Sequence, residues 1–251
     1  MRALIAGAGG LAGDGWSELG VRGVLSMSNL YLRAAGRFLQ LPVILALFVF
    51  LPAGTLHYWE GWLFSAVFVT CTLAITLYLA AKDPQLLERR MHAGPSAEKE
   101  PKQKIIVLGA LLSLAAMPVL SAIDHRLGWS SVPASVVILG NVMIVLAYVG
   151  FYLVFRENTY GAATIQVAEG QRVIATGPYA VVRHPMYGWA LLMMLGIPLA
   201  LGSWWGLVII APAIAGIVAR LLDEEQFLAK NLSGYPDYMR QVRYRLLPHV
   251  W

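Results

Sequence analysis

The feature that most constrains the fold of this chain is an apolar run of about 34 residues, residues 186–219. As one α-helix it would be about 51 Å long, whereas the hydrocarbon core of a bilayer is about 30 Å thick. The run is interrupted at Gly202-Ser203. Because glycine commonly ends helices, we predict a helical hairpin with its turn at this position. Each arm is short for a full span, so a partly re-entrant hairpin is the alternative.

The rest of the chain is also apolar. Of its 251 residues, 58% are hydrophobic and 13% are charged, whereas soluble domains carry about 25% charged residues. Four further apolar segments precede the hairpin, at residues 38–58, 61–81, 105–123 and 132–155. We therefore predict an all-α fold: a polytopic integral-membrane helical bundle of about six spans, the last two forming the hairpin.

The spans suggest three regions. Residues 1–36 are rich in glycine and weakly patterned, and we expect a flexible or interfacial N-terminal tail. Residues 37–155 contain the first four transmembrane helices, joined in part by a polar segment, 82–104, that we interpret as a solvated loop. Residues 156–251 contain a polar loop, the hairpin and a polar C-terminal part.

The distribution of positive charge predicts the orientation of the chain. With six spans, 18 of the 19 Lys and Arg residues fall on one side of the membrane. The positive-inside rule then places both termini and the loop before the hairpin in the cytoplasm, in a membrane that we expect to be the cell inner membrane. The same bias accounts for the net charge of +5, so we expect no nucleic-acid partner.

Cysteine and histidine usage argues against a metal site. Cys71 is the single cysteine, and it lies within an apolar run. None of the five histidines is paired at the i, i+4 spacing of a helical zinc site. We therefore predict no metal-binding residues and no disulfide framework within one chain.

Polar clusters on the predicted cytoplasmic side are the candidates for chemistry. They are the loop 171–187, the hairpin exit with Arg220, Glu224 and Glu225, and the C-terminal part. Charge at both ends of an apolar hairpin is costly unless it binds something. Arg220 and Glu224 are spaced i, i+4, so they can face one volume or form a salt bridge within their helix.

The order and spacing of these residues resemble a known family. The matching elements are GPY at 177–179, RHPMYG at 183–188, a hairpin, R-x-x-x-E-E at 220–225, GY at 234–235, Tyr238 and R-x-x-P at 245–248. Together they resemble the isoprenylcysteine carboxyl methyltransferase family. That family lies within a broader group of integral-membrane methyltransferases that includes phospholipid N-methyltransferases. The resemblance covers about residues 156–251.

The resemblance implies S-adenosyl-L-methionine as the cofactor and methyl donor. It implies cofactor contacts from the following residues: Gln171, Arg172, Val173, Ile174, Tyr179, His184, Tyr187, Glu224 and Glu225. It also implies catalytic roles for Arg220, beside the methyl acceptor, and for Glu224, which can hold the cationic amino group of the cofactor. A guanidinium such as that of Arg220 can orient a carboxylate acceptor in its fixed fork.

The acceptor and the reaction class stay open at this point. A carboxylate, a lipid amine or a small hydrophobic metabolite could accept the methyl group, and we expect a lipophilic substrate that enters from the bilayer, with membrane lipids as neighbours. The alternatives are an NADPH-dependent membrane reductase of the sterol-reductase type and a non-enzymatic membrane protein whose charges only fix its topology.

Overall fold

A computed structural model describes residues 13–98, 100–161, 163–168 and 170–251, with side chains from Asn29 onward. The chain divides into two compact units at Gln40/Leu41. Of the first unit, the described part is one helical segment. The second unit contains all the other elements described below.

All the regular secondary structure of the described residues is helical. The α-helices are α1 (Gly13–Leu45), α2 (Leu51–Ala53), α3 (Trp59–Lys82), α4 (Pro84–Met91), α5 (Pro101–Leu127), α6 (Ala134–Glu157), α7 (Pro185–Ala200), α8 (Ile210–Asn231) and α9 (Tyr235–Gln241). A π-helical turn, Ala46–Phe50, joins α1 to α2. Short 3-10 segments occur at Pro95–Ala97, Gly177–Ala180 and Trp205–Ile209.

Among the described residues, five helical segments are long and apolar enough to cross a membrane. They are Asn29–Ala53, Trp59–Lys82, Pro101–Leu127, Ala134–Glu157 and Trp205–Asn231. Helix α7 is apolar but shorter. The predicted polytopic helical bundle of about six spans is therefore confirmed: the described residues contain five full-length candidates and one shorter apolar helix.

The N-terminal part is helical from Gly13, and α1 continues through the predicted start of the first span. The flexible or interfacial tail at residues 1–36 stays a prediction, because a helix can also lie in the membrane interface. Residues 1–12 of the predicted tail lie outside the described residues. Glycine lowers helix propensity by only about 1 kcal/mol per residue, so a glycine-rich composition does not by itself prevent a helix.

The last two apolar helices form the predicted hairpin. Helix α7 has 16 residues, which gives it a length of about 24 Å, short of the hydrocarbon thickness. Gly202 follows it with φ +67°, a left-handed conformation that favours glycine. The chain then turns through Trp205–Ile209 into α8. The length of the apolar run could not show which arm of the hairpin is too short to span the bilayer, and the structure shows that it is the first.

Buried polar side chains hold the hairpin turn. Asp124 on α5 is 1% exposed, and its Oδ2 accepts hydrogen bonds from the hydroxyls of Ser203 and Ser130. The Tyr58 hydroxyl donates to the carbonyl of Leu201 at 2.6 Å. The turn is thus fixed to both α5 and the segment before α3.

Glycines allow the antiparallel helices α6 and α7 to pack closely. A Cβ atom at Gly140 would lie 2.3 Å from the backbone nitrogen of Ala200, and one at Gly150 would lie 2.0 Å from the Trp189 ring. Small residues at such contacts let helix backbones approach in lipid, where no hydrophobic effect drives helices together. This packing sets where α7 begins, and hence where the polar loop before it must lie.

The segment 82–104 is not the solvated loop that its polarity suggested. Asp83 caps α4 by accepting a hydrogen bond from the Leu86 N–H at 2.9 Å, and Leu86 is fully buried. Beyond α4, Glu98 and Gln103 are 5% and 1% exposed. The segment therefore packs onto the helices with polar side chains turned inward.

Candidate active site

A cavity lies between the loop that joins α6 to α7 and the end of α8. Its empty space is about 810 Å³ when the open solvent at its mouth is included. Its described lining is Asn158, Tyr160, Gly161, Thr164, Ile165, Gln166, Gln171, Arg172, Val173, Ile174, Tyr179, Arg183, His184, Pro185, Met186, Tyr187, Glu224, Leu228, Leu232, Tyr235 and Tyr238. All the predicted cofactor contacts except Glu225 are in this lining.

The four loop residues predicted to contact the cofactor line one side of the cavity. They are Gln171, Arg172, Val173 and Ile174. The side-chain oxygen of Gln171 accepts a hydrogen bond from the N–H of Ala168 at 2.9 Å. Arg172 is exposed. These residues have no regular secondary structure, so their backbone N–H and C=O groups can be presented to a ligand.

Tyr179 is tied to the start of the loop and to α9. Its hydroxyl accepts a hydrogen bond from Asn158 Nδ2 at 2.9 Å, and its carbonyl accepts one from the Tyr238 hydroxyl at 2.8 Å. Burial raises the pKa of Tyr179 to about 12, so the phenol stays protonated near neutral pH. The ring therefore offers an uncharged aromatic surface to the cavity.

His184 and Tyr187 stand together at the start of α7. Their rings stack at a centroid distance of 5.6 Å with an interplanar angle of 22°. Pro185 begins the helix, where its missing N–H costs nothing. The HPMY sequence thus places two rings within one helical turn, both in the cavity lining.

Glu224 is the carboxylate of the cavity lining. Its Oε2 accepts a hydrogen bond from the Tyr187 hydroxyl at 2.5 Å. Within the described part of the chain, no ion pair is formed by Glu224. The charge of Arg220 acts on Glu224 from a distance, but no ion pair neutralises the carboxylate, so it attracts a cationic ligand. The rings of Tyr187, Tyr179, Tyr235 and Tyr238 favour one as well.

Glu225, one residue further on, lies outside the cavity lining. It is 4% exposed and holds Arg183 Nε at 2.6 Å, His184 Nε2 at 3.2 Å and Arg245 Nε at 3.0 Å. Consecutive helical residues point about 100° apart, since 3.6 residues complete a turn. The structure thus gives the two adjacent glutamates different surroundings.

Arg220 lies behind the cavity rather than in its lining. Its Nη2 pairs with Glu98 at 2.8 Å and donates to the Ala163 carbonyl at 2.8 Å, while its Nη1 donates to Gln103 Oε1 at 3.0 Å. The ion pair joins it to the segment before α5, rather than to Glu224 on its own helix. These bonds use three of the five N–H groups of the guanidinium.

Sequence reasoning missed several polar residues in or near the site, among them Glu98, Gln103 and Arg90. Arg90 on α4 donates to Met186 Sδ at 3.4 Å and lies over the Phe155 ring at 5.1 Å. The one usable signal was a pair of leucines, residues 86–87, within a charged run, which is typical of a short amphipathic helix. That signal predicts packing but not which polar side chains turn inward.

Comparison with known proteins gives a family match over most of the cavity lining and a more distant relative. Residues 132–234 match the family model described as phospholipid methyltransferase. A curated relative, a Delta(14)-sterol reductase of Mus musculus, is 29% identical over 123 residues, which are 42% of this chain and 29% of that relative. The chain thus spans less than a third of that relative's length.

The family match includes α6, the loop, α7 and α8. It supports a membrane methyltransferase of the broader group to which the motifs point. The narrower resemblance, to the isoprenylcysteine carboxyl methyltransferase family, stays a prediction.

Proposed function

We propose that this protein is an integral-membrane, S-adenosyl-L-methionine-dependent methyltransferase that acts on a lipophilic acceptor. The observation that carries the proposal is Glu224, a carboxylate without an ion pair among the described residues, in a cavity within the segment that matches phospholipid methyltransferases. S-adenosyl-L-methionine carries a cationic sulfonium and an amino group, so its charge complements that carboxylate.

The residues around the cavity fit such a ligand. When bound, the cofactor supplies an electrophilic methyl group. Glu224 would hold its amino group, the backbone of residues 171–174 would meet its polar edge, and Tyr179, His184 and Tyr187 would pack against its rings and sulfonium. Because a direct displacement needs no covalent bond to the protein, these residues act by orienting the two reactants.

We also assign Arg220 to the acceptor side of the site. Its guanidinium is held by Glu98 and Gln103 just behind Tyr187 and Glu224. A carboxylate acceptor could bind a remaining N–H group of Arg220 or displace Glu98, whereas an uncharged amine would leave the ion pair with Glu98 intact. Both acceptor chemistries therefore stay open, and Arg220 is assigned to orientation rather than to bond making.

The reductase alternative has a specific observation for it, the similarity to the sterol reductase. NADPH needs basic side chains for its 2′-phosphate. Arg172 and Arg183 are the arginines of the described lining. Arg183 already binds Glu225 and the Val242 carbonyl, which leaves Arg172. The cavity therefore favours the cationic methyl donor over the anionic nucleotide.

Thermal unfolding of the purified protein in detergent separates the two functions. A ligand that binds only the folded state raises the unfolding midpoint as its concentration rises. We expect S-adenosylhomocysteine, the demethylated cofactor, to raise the midpoint and NADPH to leave it unchanged. A rise with NADPH alone would reverse the assignment, and a rise with neither would leave the non-enzymatic alternative.

A further inference from the structure

We propose that Glu225 is a positioning residue that fastens the C-terminal tail, residues 242–251, onto the His184 side of the cavity and thereby slows the release of bound cofactor. The inference rests on the proposed function, because the ligand retained is the cofactor. It also assigns a role to Arg245, which lies beyond the segment that matches phospholipid methyltransferases.

Glu225 already has hydrogen-bond partners at both of its oxygens. Both of its oxygens are engaged, Oε1 by Arg183 and His184 and Oε2 by Arg245. The side chain is 5% exposed. A soluble ligand could reach it only by breaking these buried, charge-assisted bonds, whereas Glu224 needs no such exchange. Glu225 is therefore suited to holding protein segments together.

The segments that it joins also pair along their backbones. The N–H of Arg183 donates to the Tyr244 carbonyl and the N–H of His184 donates to the Arg245 carbonyl, each at 2.9 Å. Arg183 Nη1 adds a bond to the Val242 carbonyl at 2.8 Å. The tail is thus bound directly to the two residues that precede α7.

The tail is ordered around Arg245. The N–H groups of Arg245 and Leu246 both donate to the Trp251 oxygen, at 2.8 and 3.1 Å. The Arg245 guanidinium lies 5.0 Å from the centre of the Trp251 ring. These contacts restrict the guanidinium to the position from which it binds Glu225. Less conformational entropy is therefore lost when the ion pair forms.

A continuous series of contacts connects the tail to the cavity. Arg245 binds Glu225, Glu225 binds His184, and His184 stacks on Tyr187, which donates to Glu224. Loosening the tail should therefore let the His184 side of the cavity move away from the ligand. Losing one partner of a buried charge pair changes dissociation more than association.

The test uses Arg245 because removing Glu225 would leave Arg183 uncompensated in the interior and could prevent folding. Arg245→Gln removes one bond from Glu225 and leaves Arg183 and His184 in place. Arg243→Gln is the matched control, since Arg243 is an exposed arginine two residues away. Arg245→Lys keeps the positive charge and should restore part of the effect.

The first readout is the dissociation rate of labelled S-adenosylhomocysteine from the detergent-purified full chain. We expect Arg245→Gln to release it about tenfold faster, the loss of one hydrogen bond to a charged group, with a smaller change in association. Arg245→Lys should fall between the two rates, and Arg243→Gln should match wild type. Release from Arg245→Gln at the wild-type rate would overturn the inference.

The second readout does not need a ligand. Amide hydrogen exchange over residues 242–251 should be faster in Arg245→Gln than in Arg243→Gln, because the tail opens more often. If wild type fails to bind S-adenosylhomocysteine, the proposed function fails, and this readout still decides the fastening. Equal exchange in the two variants would reject the role of Glu225 in holding the tail.

Discussion

At the scale of single residues, the two adjacent glutamates at the end of α8 differ in what they contact. Glu224 faces the cavity with a tyrosine hydroxyl as its hydrogen-bond donor, and Glu225 is buried among three basic side chains. Both were predicted from the same motif to contact the cofactor. Under the proposal, only Glu224 does so directly.

Glu224→Gln should weaken the binding of S-adenosylhomocysteine by about 10- to 100-fold, because the variant loses a charge-assisted bond to the ligand amino group. Isothermal titration calorimetry in detergent measures this directly. Tyr187→Phe is the matched control: it removes the hydrogen bond to Glu224 but keeps the charge and the ring, so its effect should be smaller. Unchanged affinity in Glu224→Gln would remove the residue from the cofactor site.

Arg220→Ala should abolish methyl transfer while S-adenosylhomocysteine still binds, because Arg220 is assigned to the acceptor side. It should also lower stability by about 3 kcal/mol, since Glu98 would be left as a buried charge without its partner. Thermal unfolding measures the second effect. Adding Glu98→Gln to Arg220→Ala should recover part of the lost stability. If the double variant is less stable than Arg220→Ala, an unpaired Glu98 charge is not the source of the loss.

At the scale of elements, the cavity depends on the close contact of α6 and α7. The loop that lines most of the cavity begins where α6 ends and finishes where α7 begins. Gly140 brings the two backbones together at a point where a Cβ atom would meet the backbone of Ala200. A shift of α7 would carry His184 and Tyr187 with it.

Gly140→Ala should therefore destabilise the protein by on the order of 1–3 kcal/mol, because backbone atoms cannot give way as a flexible side chain can. Gly109→Ala is the control, since a Cβ atom there meets nothing within 4 Å on α5, and alanine suits a helix better than glycine. Unfolding midpoints of the two variants measure the difference. A lower midpoint for Gly109→Ala than for Gly140→Ala would contradict the packing argument.

Some of these elements could be predicted from the sequence and others could not. The hairpin followed from length, because a run of about 34 apolar residues exceeds what a bilayer accommodates. The packing of segment 82–104 could not be predicted, because the sequence of a polar run does not show whether a residue such as Glu98 is buried or solvated. Likewise, the i, i+4 spacing of Arg220 and Glu224 allowed a salt bridge, and the structure pairs Arg220 with a residue 122 positions away.

At the scale of the whole molecule, the distribution of charge predicts how the chain is oriented in the membrane. The 82–104 segment, the cavity loop and the C-terminal part carry most of the Lys and Arg residues. The proposed orientation places all three in the cytoplasm, where a soluble cofactor is available and a lipophilic acceptor can arrive from the bilayer. The cofactor and the acceptor would then meet at the membrane surface.

Cysteine labelling in intact cells tests this orientation in a Cys71→Ser background. A membrane-impermeant maleimide added outside should label Ser131→Cys, in the turn between α5 and α6, and should spare Ser96→Cys, in the 82–104 segment. Both positions are exposed in the structure. Permeabilised cells are the control, in which both should react. Labelling of Ser96→Cys alone in intact cells would reverse the proposed topology.

The most direct test of the central claim follows the methyl group itself. The purified protein is placed in vesicles made from total cellular lipid extract and is given S-adenosyl-L-methionine with a radiolabelled methyl group. We predict that label appears in an organic-extractable product with the wild-type protein and falls by about tenfold or more with Glu224→Gln. Equal label in the organic phase with wild type and with vesicles that lack the protein would contradict the account.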